Sequence, residues 1–206
     1  MGLRGRIEAA LYDRMAARFE TAGGAELRAR ALADAKGRVL EIGAGTGLNL
    51  AHYPEGVEYL VLTEPEPAMA RKIERKLGPA SPPVRIVPAP AEALPFEDES
   101  FDTAVSTVCL CTVPDQQRAL AEVRRVLRPG GRFLFLEHVR SADPRMARRQ
   151  DRLNPVWRAV TNGCNCNRAT LEAIEQAGFT VEAVERGELP KQPSWVKPYV
   201  LGRATK

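Results

Sequence analysis

The sequence predicts a doubly wound α/β fold, a mostly parallel sheet of seven strands with helices on both faces. Two observations predict it. Short apolar, β-branched runs alternate with amphipathic segments of helix length along the 206 residues, with no internal repeat and no long linker. The first of these runs, Arg38 to Ile42, passes directly into Gly43-Ala44-Gly45-Thr46-Gly47. In such folds ligands collect at the carboxyl ends of the strands, so the glycine turn marks where a site should lie.

Residues 6–20 read as an amphipathic helix, because Ile7, Leu11, Met15 and Phe19 recur every four positions while Arg6, Arg14 and Arg18 lie elsewhere on its surface. It is a lid over the site, a membrane-surface contact, or a helix packed on the sheet edge. Thr21 to Gly24 ends it, and Ala25 to Ala35 is a second helix of strong helix formers. The strand Arg38 to Ile42 follows. Gly43, Gly45 and Gly47 remove every second side chain, so the backbone can bend sharply and a ligand can rest on it. A helix starting near Thr46 would aim its free N–H groups at that ligand.

Tyr53-Pro54-Glu55-Gly56 is a turn, Val57 to Thr63 the second strand, and Pro65 to Leu77 a helix. Val84 to Val87 is the third strand and Phe101 to Thr107 the fourth. Asp115 opens a helix reaching Leu127, with Ala119, Leu120, Val123 and Val126 inward. Arg128 to Gly131 reads as a tight turn before the fifth strand, Phe133 to Leu136, which ends at Glu137-His138. Residues 139–168 look irregular and Arg-rich. Ala169 to Ala177 is a helix closed by Gly178, Phe179 to Val184 a sixth strand and Tyr199 to Ala204 a seventh.

The chain reads as one domain, 1–206, with 44% hydrophobic and 27% charged residues, ordinary values for a soluble protein. The net charge of +4 is spread over scattered arginines with few aromatics beside them, which argues against a nucleic-acid surface. No apolar run approaches the ~20 residues that span a bilayer. Met1 to Arg6 lacks the apolar core of a signal peptide. A cytoplasmic protein with a small-molecule partner is expected, its four cysteines free thiols.

A dinucleotide fingerprint would need its third glycine at position 48, where Leu48 stands; the third glycine is Gly47, and Glu41 lies two residues ahead of the first. The resulting E-x-G-x-G-x-G resembles motif I of the class I S-adenosylmethionine (SAM) methyltransferases. Ala89 to Phe96 with Ser100-Phe101-Asp102 is similar to that family's G-D-A-E-x-L-P-F…S-F-D segment, with Pro90 in place of the usual Asp. Leu127-Arg128-Pro129-Gly130-Gly131 is common to the quinone-biosynthesis type. Tyr53-Pro54 with Gly56, Ala89-Pro90 before Glu92, Leu110-Cys111, Glu137-His138-Val139, and Gly163-Cys164 with Arg168 resemble the membrane-associated alkyl-thiol methyltransferases, over roughly residues 10–205. The sequence shows no counterpart of their apolar amino-terminal anchor.

The resemblance implies a Rossmann-like methyltransferase fold, SAM as cofactor and S-adenosylhomocysteine as product. It places the cofactor against Glu41, Gly43, Ala44, Gly45, Gly47 and Asn49. Glu64, with Pro65 beside it, is expected at the ribose, Ala91 and Glu92 at the adenine, and Thr107 and Val108 at the exit of the fourth strand. The implied acceptor is small and apolar, a thiol first. The alternatives are C- or O-methylation of a quinone- or phenol-like molecule, a SAM-binding protein without turnover, and a partner of an RNA methyltransferase. Ser106-Thr107-Val108-Cys109 stands where an N-P-P-Y motif would mark base-amine methylation.

Methyl transfer from a sulfonium is an in-line displacement in which the protein chiefly aligns the reactants and excludes water. A thiol with pKa near ~8.5 is partly ionised at neutral pH and needs little help from a base. His138 is the candidate catalytic residue, to orient or deprotonate the acceptor, with a structural role as the alternative. Glu137 is read as a possible ion-pair partner of Arg168. Cys109-x-Cys111 and Cys164-x-Cys166 could bring four thiolates to zinc, but C-x-C wraps a metal poorly and no metal is expected. Residues 1–35 form the expected lid, and 139–168 with 187–198 the expected acceptor pocket.

Overall fold

The computed structural model describes residues 16–78, 82–161 and 163–206. Seven strands form one sheet: β1 (Gly37–Ile42), β2 (Val57–Thr63), β3 (Val84–Val87), β4 (Phe101–Thr107), β5 (Leu127–His138), β6 (Thr180–Glu188) and β7 (Pro198–Thr205). Their order is β3-β2-β1-β4-β5-β7-β6. The first five are mutually parallel, and β7 runs antiparallel to both β5 and β6. The helices are α1 (Ala25–Leu32), α2 (Pro67–Glu74), α3 (Gln116–Val126), α4 (Pro144–Val160) and α5 (Thr170–Gln176).

The alternation of side chains along each strand builds two cores. Leu40, Ile42, Phe133 and Phe135 face Leu120, Val123 and Ile174 of α3 and α5. Val39, Leu60, Leu62 and Leu134 face Leu32 of α1 and Ile73 of α2. The interior strands are buried on both faces, as their continuous apolar runs require. A third cluster of Phe19, Leu27, Ala31, Leu136, Leu189 and Tyr199 docks the amino-terminal segment on the same face.

Three expectations change. Residues 139–168 are not irregular: they hold α4, started by the Asp143 carboxylate accepting from Arg145 N at 2.9 Å and by Pro144 in the first turn. Pro155 and the arginines hide this helix from a periodicity reading, since only Ala147 and Gln150 on it are buried. The glycine turn does not lead into an α-helix near Thr46; it continues as turns into a short 3₁₀ segment, Leu50–His52. The Arg128–Gly131 turn lies inside β5, where the pairing jumps from Phe101↔Leu127 to Thr103↔Arg132 and Gly130 takes φ +71°. Of the amino-terminal helix, residues 16–19 are helical and the chain turns at Gly23 (φ +119°), while Ile7, Leu11 and Met15 lie outside the described residues.

Candidate cofactor and acceptor site

The sheet order reverses between β1 and β4, and the glycine turn sits at that switch point. Its backbone is tied to the tip of β2. Ala44 N donates to Thr63 O at 2.9 Å, and Gly47 N to Ala44 O at 2.9 Å. The Glu64 carboxylate accepts from Gly45 N and from Glu66 N, both at 2.8 Å. Burial pushes the Glu64 pKa up, against the pull of those two amides. Pro65 beside it is exposed. At Gly43 (φ +60°) a Cβ would collide with Cys109 Sγ, so only glycine fits. Thr46 Oγ1 is buried in the turn with no hydrogen-bond partner.

Beneath the turn lies a buried polar network. Arg28 of α1 is 4% exposed. Its Nη1 donates to Asn49 Oδ1 and Thr107 Oγ1, both at 3.0 Å, and its Nε to Glu20 Oε1 at 2.8 Å. Asn49 Nδ2 donates to Glu41 Oε1 and Thr107 Oγ1, both at 2.9 Å, and Tyr53 Oη donates to Glu41 Oε2 at 2.6 Å. Glu41, Asn49 and Thr107 are thus brought together, and Asn49 spends its side chain within the protein. Burial raises the Glu41 pKa to about 7, with Tyr53, Arg28 and Asn49 opposing the rise.

The exit of β4 is held by Glu137. Its Oε1 accepts from Ser106 Oγ (2.6 Å), Cys109 N (3.0 Å) and Leu110 N (3.1 Å), and its Oε2 from Cys111 N (3.4 Å). Three successive amides around one carboxylate make an anion nest. Val108 lies at the bend with φ +55°, a rare conformation for a β-branched residue, and its N–H donates to Leu136 O at 2.7 Å. The expected Glu137–Arg168 pair does not form; Arg168 Nη1 donates to the Leu110 carbonyl instead. Ala91 is buried, and Glu92 turns to the start of α3, accepting from Asp115 N at 3.1 Å.

Next to this loop, 139–168 and 187–198 meet around His138. Gln150, fully buried, donates from Nε2 to the carbonyls of Val139, Cys166 and Trp195. The Arg149 guanidinium lies 5.2 Å from the centre of the Trp195 ring. His138 Nδ1 lies 2.8 Å from Val196 O, so this nitrogen carries the proton. Burial lowers the His138 pKa to about 4, partly offset by that bond. Unfolded chains protonate such a group near 6.5, so the stability it lends is present above that pH and is lost as pH falls through about 4. The four cysteine sulfurs do not converge. Cys109 faces Gly43, Cys166 contacts Asn154 Oδ1 at 3.7 Å, and Cys111 and Cys164 touch at 3.6 Å.

Comparison with known proteins places this arrangement. The methyltransferase domain family matches residues 40–135. The human thiol S-methyltransferase TMT1A is 34% identical over 82% of this chain and 70% of its own length. Its human counterpart TMT1B is 35% identical over 86% and 75%. The chain belongs to the class I SAM-dependent methyltransferases. A crystal structure of a SAM-dependent methyltransferase from Thermotoga maritima superposes with a TM-score of 0.74 at 25% identity, covering 98% of this chain and 97% of that one. The methyl donor of this methyltransferase is SAM.

The residues present fit that cofactor. The turn is a cradle that side chains would fill, it holds an orphaned buried hydroxyl at Thr46, and a carboxylate stands at the tip of β2. Sequence reasoning missed Arg28, Tyr53 and the loop-gathering role of Glu137. Arg28 left one signal: it shares the inward face of α1 with Leu27, Ala31 and Leu32, where a charge needs a buried partner. No helix among the described residues is long and apolar enough to cross a membrane.

Proposed function

We propose that this methyltransferase transfers the methyl group of SAM to the sulfur of a small, largely apolar thiol in the cytoplasm. The observation that carries the reading is that His138 and the groups of the β4 exit loop offer no neutral-range base. His138 is held near 4, burial keeps the Cys109 thiol protonated, the Cys164 sulfur together with burial keeps Cys111 so, and Glu137 is saturated by its loop. The acceptor must therefore supply its own ionisation, which a thiol at ~8.5 does far better at neutral pH than a phenol near ~10. The names of the relatives point the same way.

Bound SAM supplies an already activated methyl group. In this reading Gly43, Ala44, Gly45 and Gly47 lie under its amino-acid half, with Glu41 and Asn49 bracing them from below. Glu64, next to Pro65, takes the ribose hydroxyls, Ala91 and Glu92 border the adenine, and Thr107 and Val108 wall the reacting end. His138, proton on Nδ1, orients the acceptor through its other nitrogen. With SAM held there, these residues would align a thiolate with the methyl group and exclude water, and the products would be S-adenosylhomocysteine and a thioether.

Release of S-adenosylhomocysteine should saturate with a simple aliphatic thiol. Tight S-adenosylhomocysteine binding without thiol-dependent release would discard the thiol and turn attention to quinone- and phenol-like acceptors. His138→Ala should lose about 10-fold in kcat/KM while the midpoint of the pH–rate profile stays near ~8.5 and moves with the acidity of the thiol. A midpoint independent of the thiol used, and lost in His138→Ala, would make the imidazole a base after all.

A further inference from the structure

We propose that Cys111 and Cys164 are a reversible disulfide site, oxidised by peroxide, that staples the acceptor wall to the β4 exit loop. The two sulfurs lie 3.6 Å apart, both reduced and both buried. The backbone on either side is already in register. Asn165 donates to the Cys111 carbonyl from its main-chain N at 2.7 Å and from Nδ2 at 3.1 Å. A side chain added at Gly163 would rest against Thr112 O. Closing the gap to a bond of ~2.05 Å asks for about 1.5 Å of sulfur movement.

The pair is chemically asymmetric. Cys164 is the more exposed of the two, at 8% against 0% for Cys111. The Cys111 S–H lowers the Cys164 pKa, and the Trp157 indole and the Arg168 guanidinium add to that, against burial and the charge of Glu137. Trp157 Nε1 is buried with no hydrogen-bond partner, a free donor that can turn to a Cys164 thiolate. Cys111 shifts the opposite way, upward, and stays a thiol. Cys164 thiolate would attack hydrogen peroxide, break the O–O bond and become a sulfenic acid. The Cys111 thiol then displaces its hydroxyl as water. Overall, two thiols and one peroxide give one disulfide and two waters, the two electrons passing from sulfur to oxygen. Cys109 and Cys166 contact other groups and have no such neighbour.

The staple would shift the loop that Glu137 and Val108 hold in place. Misplacement by about 1 Å can cost on the order of 100-fold in rate, so turnover should fall by at least 10-fold. That consequence rests on the proposed methyl transfer; the sulfur pairing does not.

The intact protein is treated with stoichiometric hydrogen peroxide, quenched in acid, alkylated after denaturation and digested for mass spectrometry. A peptide linking Cys111 to Cys164, reversed by dithiothreitol, is expected. The initial rate of S-adenosylhomocysteine release should fall in step with the linked fraction and return on reduction. Cys111→Ser should give no link and leave Cys164 oxidised beyond the thiol. Recovery of both cysteines alkylated, or Cys164 linked elsewhere, would overturn the pairing. Linked protein with an undiminished rate would overturn the staple. If wild-type protein methylates no thiol, the peptide measurement still decides the pairing.

Discussion

Arg28→Met is expected to destabilise the protein by about 3–5 kcal/mol, because it leaves the buried Glu41 and the half-buried Glu20 without their cation. Methionine keeps most of the packing volume, so the loss isolates the charge. Among the described residues, Arg28 is the cation hydrogen-bonded into the network of Glu20, Asn49 and Thr107, and its charge acts on Glu41. The loss should grow with pH. Glu41 already titrates at about 7 in the folded state against 4.5 when exposed. A group raised in this way lends stability that is complete below 4.5 and is lost as pH rises through about 7. Without Arg28 the folded pKa climbs further, so at pH 8 the variant must strip a proton from, or keep one on, a carboxyl with less compensation. Thermal denaturation should show the gap between wild type and Arg28→Met widening from about pH 5 to about pH 8. A gap that is constant or narrows over that range would mean that Arg28 does not govern Glu41. S-adenosylhomocysteine binding should weaken in parallel, because the same network carries the glycine turn.

That network shows what a single sequence exposes. The interior strands were legible because buried parallel strands are continuous apolar runs: Val57–Thr63 and Phe101–Thr107 match the expectation residue for residue, as does the short edge strand Val84–Val87. The glycine turn was legible because a backbone at positive φ with no room for Cβ leaves only one residue type. Arg28 and Glu137 were not. Each acts on groups 8 to 79 residues away in the first case and 26 to 31 in the second, and no local pattern marks such a pairing. Helix α4 escaped for a different reason. Only Ala147 and Gln150 on it are buried, so its composition answers to solvent rather than to a core stripe. His138 was found by position, but its chemistry was not, since the burial that lowers its pKa is a tertiary property.

Glu137→Ala is expected to leave little folded protein. It orphans three buried amides and the Ser106 hydroxyl, each costing about 1–3 kcal/mol, against a total stability of about 5–15 kcal/mol. Glu137→Gln is the informative variant. Its amide oxygen can stand in for Oε1 and keep Ser106, Cys109 and Leu110, but its NH2 then faces the Cys111 N–H, donor against donor. The stability loss should be about 1–3 kcal/mol. The loss of turnover should be larger in proportion, about 10- to 100-fold, because the loop it holds carries Val108 in a strained conformation worth about 1–3 kcal/mol. Released from the nest, that strain relaxes by moving the wall between donor and acceptor. Amide exchange at Cys109, Leu110 and Cys111 should accelerate, and turnover per S-adenosylhomocysteine-binding site should fall while the number of binding sites holds. Turnover that falls only as far as the number of binding sites would reduce Glu137 to a folding role. The reason to expect otherwise is geometric: one carboxylate fixes three consecutive amides directly after Val108, whose φ of +55° that loop must hold at the carboxyl end of β4.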